Sequence, residues 1–149
     1  MTQDDLPFEG VKVLDLSQGV AGPYCGMHLA RNGADVIKAE PPGSGCWSRQ
    51  LGKWTGDHTA HSVIVNRAKR SLAVDLKTDE GAAIVQRLAS DCDVFIQNYR
   101  VGKIDKFAAI TDRCFANPFP YFFEMPDLVE TIEYRLCFGL VNTVQTGII

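Results

Sequence analysis

Three segments of the chain carry residues whose types and spacing could bind an anionic ligand. The first is SQGVAGP, residues 17–23, in which Gly19 and Gly22 stand between an apolar stretch and a helical pattern. Backbone N–H groups at a helix start can bind a phosphate or a carboxylate. The alternative is that these glycines only let the helix and the strand pack closely. The residues alone leave both interpretations open.

The second segment is the basic stretch at residues 66–70, which carries three cations in five residues and includes Lys69 and Arg70. Because the chain has a net charge of -3, a ligand bearing phosphates needs a local cluster of cations. Charge runs are equally common on solvated edges, so that interpretation stays open as well. We predict that Lys69 and Arg70 contact the ligand, and Lys38, Lys103 and Lys106 can join them.

The third segment is DVFIQN, residues 93–98, in which Asn98 follows an apolar strand pattern. Open α/β sheets bind ligands at the carboxyl ends of their strands, and this position places Asn98 at that edge. A dinucleotide site is an alternative, with Glu40 as the acid that binds ribose about 20 residues after the glycine turn. Gly19 and Gly22 do not meet the spacing of the dinucleotide fingerprint, however.

The cysteines and histidines give no pattern of metal ligands. The five cysteines are scattered, with no C-x-x-C pair and no paired histidines at ligand spacing, so we predict no metal. Cys25 lies near the positive end of the first predicted helix, where a thiolate is favoured. No histidine is near it in sequence except His28, and a buried structural thiol is the simpler interpretation. We assign His58 and His61 to a loop.

Composition restricts the class of protein. The chain has 149 residues, 46% of them hydrophobic, which fits one folded domain. Its negative net charge argues against a nucleic-acid-binding protein. The acidic first ten residues do not resemble a signal peptide, and no apolar run approaches the length of a membrane span. With unpaired cysteines, these features predict a cytoplasmic protein with reduced thiols and no membrane association.

Hydrophobic patterns predict alternating strands and helices. Strands are expected at residues 11–16, 34–39, 71–76 and 94–96, and the first has the continuous apolar pattern of a strand covered on both faces. Pro23 is expected at the first position of a helix that ends at Asn32 and Gly33. Thr78 is expected to cap a second helix that buries Ile84, Val85 and Leu88. Residues 41–61 are expected to form a long, mobile loop. The pattern predicts an α/β fold, with a Rossmann-like parallel sheet and flanking helices.

The segments VLDLSQGVAGPYCGMHLARNGADVIKAEPPGSG, NRAKRSLAVDLKTDEG and DVFIQNYRVGKIDKF together resemble the amino-terminal part of the family III CoA-transferases. This family includes formyl-CoA transferase, carnitine CoA-transferase and alpha-methylacyl-CoA racemase. The resemblance implies a Rossmann-like, incomplete large domain over residues 1–107, with coenzyme A as ligand and an acyl-CoA and a small carboxylic acid as partners. Full-length members form intertwined homodimers.

The resemblance also implies a set of CoA contacts. They are Gly19, Val20 and Ala21 after the first strand, Val74 on the adenine side, Asn98 and Tyr99 after the fourth strand, and Lys106 and Phe107 farther on. Two positions depart from the family pattern: Gln97 replaces an acid, and Pro41 replaces a basic residue after Glu40.

The catalytic aspartate that the resemblance implies is expected beyond the last residue of this chain, where it forms a mixed anhydride with the acyl group. The racemase branch uses a histidine and an acid for proton transfer instead. Asp112 and Asp127 lie in no matching context. Three alternatives stay open: a racemase, a non-catalytic CoA-binding remnant, and an unrelated nucleotide-binding module.

Residues 108–149 are expected to differ from the family, since the resemblance ends near Phe107. Pro118, Pro120 and Pro126 exclude a continuous helix, and a helix is predicted at residues 128–136. The run Gln145-Thr146-Gly147 is similar to the end of a family motif. Either this tail is divergent, or a frameshift has supplied a foreign reading frame.

Overall fold

The computed structural model describes residues 6–99 and the strand at residues 135–138. The strands are β1 Lys12–Asp15, β2 Asp35–Glu40, β3 Trp54–Thr55, β4 His58–Thr59, β5 Arg70–Ala73, β6 Val94–Gln97 and β7 Arg135–Phe138. The helices are α1 Ala21–Arg31, α2 Ala60–Val65 and α3 Asp79–Ser90, with a 3₁₀ helix at Trp47–Gln50. The predicted α/β class is confirmed, and the Lys106 and Phe107 predictions lie outside the described residues.

The central sheet has the strand order β5-β2-β1-β6-β7. The pairs β5–β2, β2–β1 and β1–β6 are parallel, and Leu14 of β1 lies opposite Ile37 on one side and Phe95 on the other. From β1 the chain first adds β2 and β5 on one side and then places β6 on the opposite side. A crevice for ligands is expected where the order reverses in this way, at the carboxyl ends of β1 and β6.

Two hydrophobic clusters flank the sheet. Leu14 and Leu16 pack with Val85 and Ala89 of α3 on one face. Val13 packs with Leu29 of α1, together with Val36, Val94 and Ile96, on the other face. The prediction of a β1 strand covered on both faces is thus confirmed, and this double burial explains its nearly continuous apolar sequence.

Helix α1 starts earlier than predicted. It begins at Ala21, so Pro23 is its third residue and the prediction of a first-position proline is wrong. The N–H groups of the first turn have no partner within the helix, so a proline is tolerated there as well. At the other end, Asn32 is the C-cap and Gly33 adopts φ +104°, as predicted for a helix that ends at this pair.

Helix α3 begins as predicted, because the Thr78 hydroxyl oxygen accepts a hydrogen bond from the Gly81 N–H at 3.1 Å. The predicted burial of Ile84 is wrong, since this side chain is 44% exposed. Val85 and Ala89 are spaced by four residues and form the buried stripe, whereas Ile84 precedes that stripe by one residue and turns away from the sheet. Leu88 is partly buried against the same cluster.

The expected loop at residues 41–61 is the largest error in the predicted fold. The structure places the 3₁₀ helix, the β3–β4 hairpin and the start of α2 in this region. Thr59 and Ser62 form a capping box, each side chain bonding the other residue's backbone N–H at 3.2 Å. Elements of two to six residues are too short to show a hydrophobic period, so the sequence pattern could not reveal them.

Strand β7 pairs antiparallel with β6, with Arg135 opposite Gln97 and Phe138 opposite Val94. The helix predicted at residues 128–136 is therefore wrong at its last two residues. Pairing with a buried strand overrides local helix propensity here. Among the described residues, no helix is long and apolar enough to cross a membrane.

Candidate functional site

The candidate site lies at the carboxyl ends of β1 and β6. The loop after β1 contains the turn at residues 17–20 and leads into α1, and the loop after β6 begins at Asn98. Val20 is 46% exposed and Ala21 is also exposed, so the start of α1 faces solvent at this edge. The structure therefore brings together the predicted residues Gly19, Val20, Ala21 and Asn98.

Asn98 fixes the first of these loops to the second. Its side-chain nitrogen donates to the carbonyl oxygen of Gln18 at 2.7 Å, and its side-chain oxygen accepts from the Gln18 N–H at 2.7 Å. The Gln18 side chain donates to the Tyr99 hydroxyl at 3.3 Å. Asn98 thus supports the turn, and its amide is occupied by the protein backbone.

The Tyr99 side chain is partly buried beside this turn. Burial raises the pKa of its hydroxyl, and the hydrogen bond from Gln18 only partly opposes that effect. The Tyr99 N–H donates to the side-chain oxygen of Gln97 at 2.8 Å, so Gln97 holds the start of the β6 loop.

Gly19 lies above an aromatic ring. It has φ +80°, and a Cβ atom at this position would lie 2.5 Å from Cζ2 of Trp47. The Gly19 N–H donates to the Sγ atom of the buried Cys46 at 3.1 Å, and the Ser48 hydroxyl donates to the same sulfur at 3.0 Å. Only glycine fits both the backbone conformation and this contact. Residues 46–48, which were expected to be part of a loop, therefore pack against the turn at Gly19.

A buried charge cluster lies beneath the same turn. Asp15 is fully buried, and its Oδ1 accepts from the Ser17 N–H at 2.9 Å and from the Ser17 hydroxyl. Lys38 lies 3.3 Å from Oδ1 and also donates to the Ser17 carbonyl oxygen, and Lys69 lies 2.8 Å from Oδ2. Buried charges are tolerated only when they are paired and hydrogen-bonded, as these are.

Lys69 is placed inside the protein. Its side chain is 1% exposed, and its Nζ atom also donates to the Pro23 carbonyl oxygen at 2.6 Å. Burial lowers the pKa of Lys69, and the Asp15 carboxylate only partly offsets this. Two of the three N–H groups of this ammonium are bonded inside the protein, and the side chain is buried, so the geometry gives Lys69 structural partners in place of the predicted phosphate.

Arg70 lies at the opposite edge of the sheet. It is the first residue of β5, and its guanidinium makes two hydrogen bonds of 2.8 Å to Asp35, the first residue of β2. These positions mark the amino ends of the strands, whereas the turn at Gly19 lies past a carboxyl end. We assign Arg70 to an exposed ion pair, because the strand register separates it from the predicted site.

Both carboxylate oxygens of Glu40 accept hydrogen bonds from other groups of the protein. Its Oε2 accepts from the Cys46 N–H at 2.9 Å and from Arg49 Nε at 2.6 Å, and its Oε1 accepts from Arg49 Nη2 at 3.0 Å. Burial works to raise the pKa of Glu40, but the bonds from Arg49 and Cys46 and the nearby Lys38 charge outweigh it and lower the pKa. Both oxygens are used, so Glu40 is not presented to a ribose as the dinucleotide alternative requires.

Arg49 is a candidate site residue that the sequence did not reveal. It comes from the 3₁₀ helix and brings a guanidinium to Glu40, at the carboxyl end of β2. Its side chain is 29% exposed. The only sequence signal was a single arginine in a segment without periodicity.

Val74 and Cys25 lie outside the turn at residues 17–20. Val74 is 6% exposed and belongs to the hydrophobic cluster of α3, just after the carboxyl end of β5. Cys25 is half-buried, and burial, followed by the Asp15 charge, raises its pKa, which agrees with a structural thiol. In residues 6–99, no group of His, Cys, Asp and Glu side chains could hold a metal ion.

Comparison with known proteins identifies relatives of the whole described unit. The profile of "CoA-transferase family III" matches residues 8–117, which runs past Phe107, where the resemblance was expected to end. The chain is 46% identical over 99 residues to succinyl-CoA:glutarate CoA-transferase of Homo sapiens, covering 66% of this chain and 23% of that protein. It is 35% identical over 147 residues to succinyl-CoA–D-citramalate CoA-transferase of Chloroflexus aurantiacus, covering 95% of this chain and 36% of that protein.

Solved structures with a similar fold and sequence are also found. A CAIB/BAIF family protein from Brucella suis aligns with a TM-score of 0.64 and 38% identity over 68% of this chain and 28% of its own. A hypothetical protein from Mycobacterium tuberculosis aligns with a TM-score of 0.67 and 37% identity over 74% of this chain and 30% of its own. The chain thus spans only about a quarter to a third of the length of these relatives. With more than half of its residues matched by the family profile, this chain belongs to the CoA-transferase family III.

Proposed function

We propose that this protein acts in the transfer of coenzyme A between an acyl-CoA and a carboxylic acid, with CoA bound at the carboxyl ends of β1 and β6. Family membership supports a CoA-thioester substrate. The relatives from Homo sapiens and Chloroflexus aurantiacus carry names that join succinyl-CoA to a second dicarboxylic acid. A small dicarboxylic acid is therefore the first acceptor to test.

One observation carries the placement of CoA. The turn at residues 17–20 is held by Asn98 at the point where the strand order reverses, and it leaves the start of α1 exposed. The first N–H groups of a helix are unpaired and carry partial positive charge, so they favour an anionic or polarised ligand group. A rigid turn in this position offers those groups without a large ordering cost on binding.

The phosphates of CoA need cations at the same edge of the sheet, and we assign Arg49 and Lys77 to this role. Arg49 lies at the carboxyl end of β2 and uses two of its nitrogens on Glu40, and its side chain remains partly exposed. Lys77 is exposed in the turn that follows β5, and no ion pair involves it among the described residues. This assignment replaces Lys69 and Arg70, whose charges have partners elsewhere.

The proposed chemistry follows the reaction of carboxylate nucleophiles. An enzyme carboxylate attacks the thioester carbonyl, the carbon–sulfur bond breaks, and CoA leaves as a thiolate while a mixed anhydride forms. The thiolate then attacks the enzyme's own acyl carbon and releases the first acid. The second acid attacks the resulting enzyme thioester, the carbon–sulfur bond breaks, and the CoA thiolate leaves while a second mixed anhydride forms. The thiolate then attacks the acyl carbon of the second acid, which yields the new acyl-CoA and releases the enzyme carboxylate. In this scheme the described residues hold CoA and do not supply the nucleophile.

A non-catalytic CoA-binding protein is the second candidate, and one observation favours it. The two buried carboxylates among the described residues, Asp15 and Glu40, are both held in ion pairs. A carboxylate whose oxygens already accept several charge-assisted hydrogen bonds is a poor nucleophile, since attack would sacrifice those bonds. Neither residue is therefore assigned the role of the enzyme carboxylate.

A transfer assay separates the two candidates. The 149-residue chain is incubated with succinyl-CoA and glutarate or citramalate, and new CoA thioesters are separated by chromatography. Thioester formation above a protein-free control supports a transferase. CoA binding without any transfer supports the binding protein, and the absence of both contradicts the proposed function.

A further inference from the structure

We infer that Lys69 and Asp15 are positioning residues, which hold the CoA-binding turn in place from beneath without contacting the ligand. The inference rests on the proposed function, because it concerns the same turn. It assigns to Lys69 an indirect role, in which the amine acts on CoA affinity only through the backbone that it anchors. Three observations carry it.

The first observation is that Lys69 joins parts of the chain that are far apart in sequence. It comes from the short connection between α2 and β5, and its amine reaches the Pro23 carbonyl in the first turn of α1 at 2.6 Å and the Asp15 carboxylate at 2.8 Å. These partners lie 46 and 54 residues away. The connection thereby ties the basic stretch at residues 66–70 to the start of α1.

The second observation is that the helix is shaped to admit this amine. A Cβ atom on Gly26 would lie 2.7 Å from Asp15 Oδ2 and 3.1 Å from Lys69 Nζ. A side chain at this position of α1 would displace the ion pair. Since glycine weakens a helix interior, its presence here is explained by the space that the two charged groups require.

The third observation is that Asp15, the partner of Lys69, also holds Ser17 at the start of the turn. Its Oδ1 accepts two hydrogen bonds from Ser17, and Lys38 donates to the Ser17 carbonyl. The turn is thus held at Ser17 through Asp15, at Gln18 by Asn98, and at Pro23 by Lys69. Removal of the Lys69 amine frees the Pro23 carbonyl oxygen and leaves Asp15 Oδ2 without this ion pair.

Direct contact and positioning predict different responses to salt. A cation that touches a phosphate contributes to the salt dependence of binding, so its loss makes the dependence shallower. A positioning cation contributes to the shape of the site, and its loss lowers the affinity at every salt concentration by a similar factor.

The test is calorimetric titration of the full 149-residue chain with CoA at several salt concentrations. Lys69→Met keeps the length of the side chain and removes its charge, and Arg70→Met is the matched control at the exposed edge. We expect Lys69→Met to weaken CoA binding about tenfold with an unchanged salt dependence, as for a loosened site, and Arg70→Met to have little effect. A shallower salt dependence in Lys69→Met, or an unchanged affinity, would overturn the inference.

Hydrogen exchange without ligand tests the inference even where CoA does not bind, an outcome that contradicts the proposed function alone. In Lys69→Met we expect faster exchange of amides at residues 17–24, with α3 unchanged. Equal acceleration throughout residues 6–99 would show a general structural role and overturn the inference.

A second variant covers the case in which Lys69→Met does not fold. The triple variant Asp15→Asn, Lys38→Met and Lys69→Met leaves neither a carboxylate nor an amine of this cluster buried without its charge partner, while Pro23 still lacks its donor. Exchange at residues 17–24 should remain faster than in the natural chain. Full restoration of protection in the triple variant would show that Lys69 only neutralises Asp15 and would overturn the positioning role.

Discussion

The side-chain amide of Asn98 pairs with the backbone of Gln18 through two hydrogen bonds of 2.7 Å, across 80 residues of sequence. One bond satisfies the Gln18 N–H and the other its carbonyl oxygen. The amide therefore joins the two chains beyond the last β1–β6 residue pair, which is Asp15 with Ile96. This relationship fixes where the turn begins, and the position of the exposed start of α1 depends on it.

Replacement of Asn98 by alanine should weaken CoA binding. Both backbone groups of Gln18 lose their partner, and part-buried polar groups left unsatisfied cost about 1–3 kcal/mol. We expect the free energy of unfolding to fall by about that amount, and we expect CoA to bind more weakly in a calorimetric titration because the turn is no longer fixed. Ser90→Ala is the control, because Ser90 is exposed and its hydroxyl bonds a carbonyl oxygen of its own helix. An affinity equal to that of the natural chain would show that the turn does not need this clamp.

Gly19→Ala should lower the stability and the CoA affinity by more than the strain of a positive φ alone explains. The new methyl group meets the Trp47 ring at 2.5 Å, and φ +80° is strained for alanine. Gly56→Ala is a matched control, since Gly56 has φ +60° but nothing within 4 Å of a Cβ atom. Both variants pay about 1–2 kcal/mol for the conformation.

The contact with the Trp47 ring should make the Gly19 variant less stable than the Gly56 variant. Gly19→Ala should unfold at a lower denaturant concentration than Gly56→Ala and should bind CoA more weakly, whereas Gly56→Ala should keep its affinity. Equal stability and equal affinity of the two variants would contradict the close contact between Gly19 and Trp47.

Lys77→Gln should lower CoA affinity and make its salt dependence shallower. A charge-assisted bond to phosphate contributes about 1.5–3 kcal/mol, which an exposed position reduces. Arg70→Gln is the control at the opposite edge of the sheet, where the ion pair with Asp35 is exposed and contributes about 0–1 kcal/mol. If Arg70→Gln weakened binding and Lys77→Gln did not, the assignment of the phosphate contacts would be reversed.

The stability of the protein should fall in acid partly through Glu40. Its pKa is lowered from an ordinary value of 4.5 in the folded state, so the folded protein binds this proton less readily than the unfolded chain. Glu40 therefore contributes stability that is present above pH 4.5 and is lost as the pH falls through the lower, folded-state pKa.

Unfolding of Glu40→Gln as a function of pH checks this contribution. The variant should be less stable than the natural chain at neutral pH, and the difference should shrink as the pH is lowered. Glu9→Gln, at an exposed position, is the control and should follow the natural chain. A difference that stays constant down to pH 3 would mean that the ion pair with Arg49 does not determine this pKa.

The sequence predicted the parallel sheet and the location of the turn because both leave strong local patterns. β1 is apolar on both faces, and Gly19 interrupts the chain just before a helix. The position of Asn98 at the carboxyl edge followed from its place after a buried strand. Those predictions depend on residues within one element, so a sequence pattern is enough to make them.

The surroundings of Lys69, Arg70 and Arg49 depend on packing between elements, which a sequence pattern does not show. Lys69 and Arg70 are neighbours in sequence, yet one is buried beneath α1 and the other is exposed at the amino edge, since Arg70 opens β5 and Lys69 precedes it. Arg49 reaches Glu40 only because a 3₁₀ helix folds over β2. The role of Phe107 as a boundary stays a prediction, as do the contacts of Lys106 and Phe107 with CoA.

Hydrogen exchange of the 149-residue chain with and without CoA tests the proposed position of the CoA site, because it locates the ligand on the backbone. We expect slower exchange at residues 17–24 and at Asn98 and Tyr99 when CoA is present, and no such effect with NAD at the same concentration. Protection confined to residues 66–71, or equal protection by NAD, would contradict a CoA site at the carboxyl ends of β1 and β6.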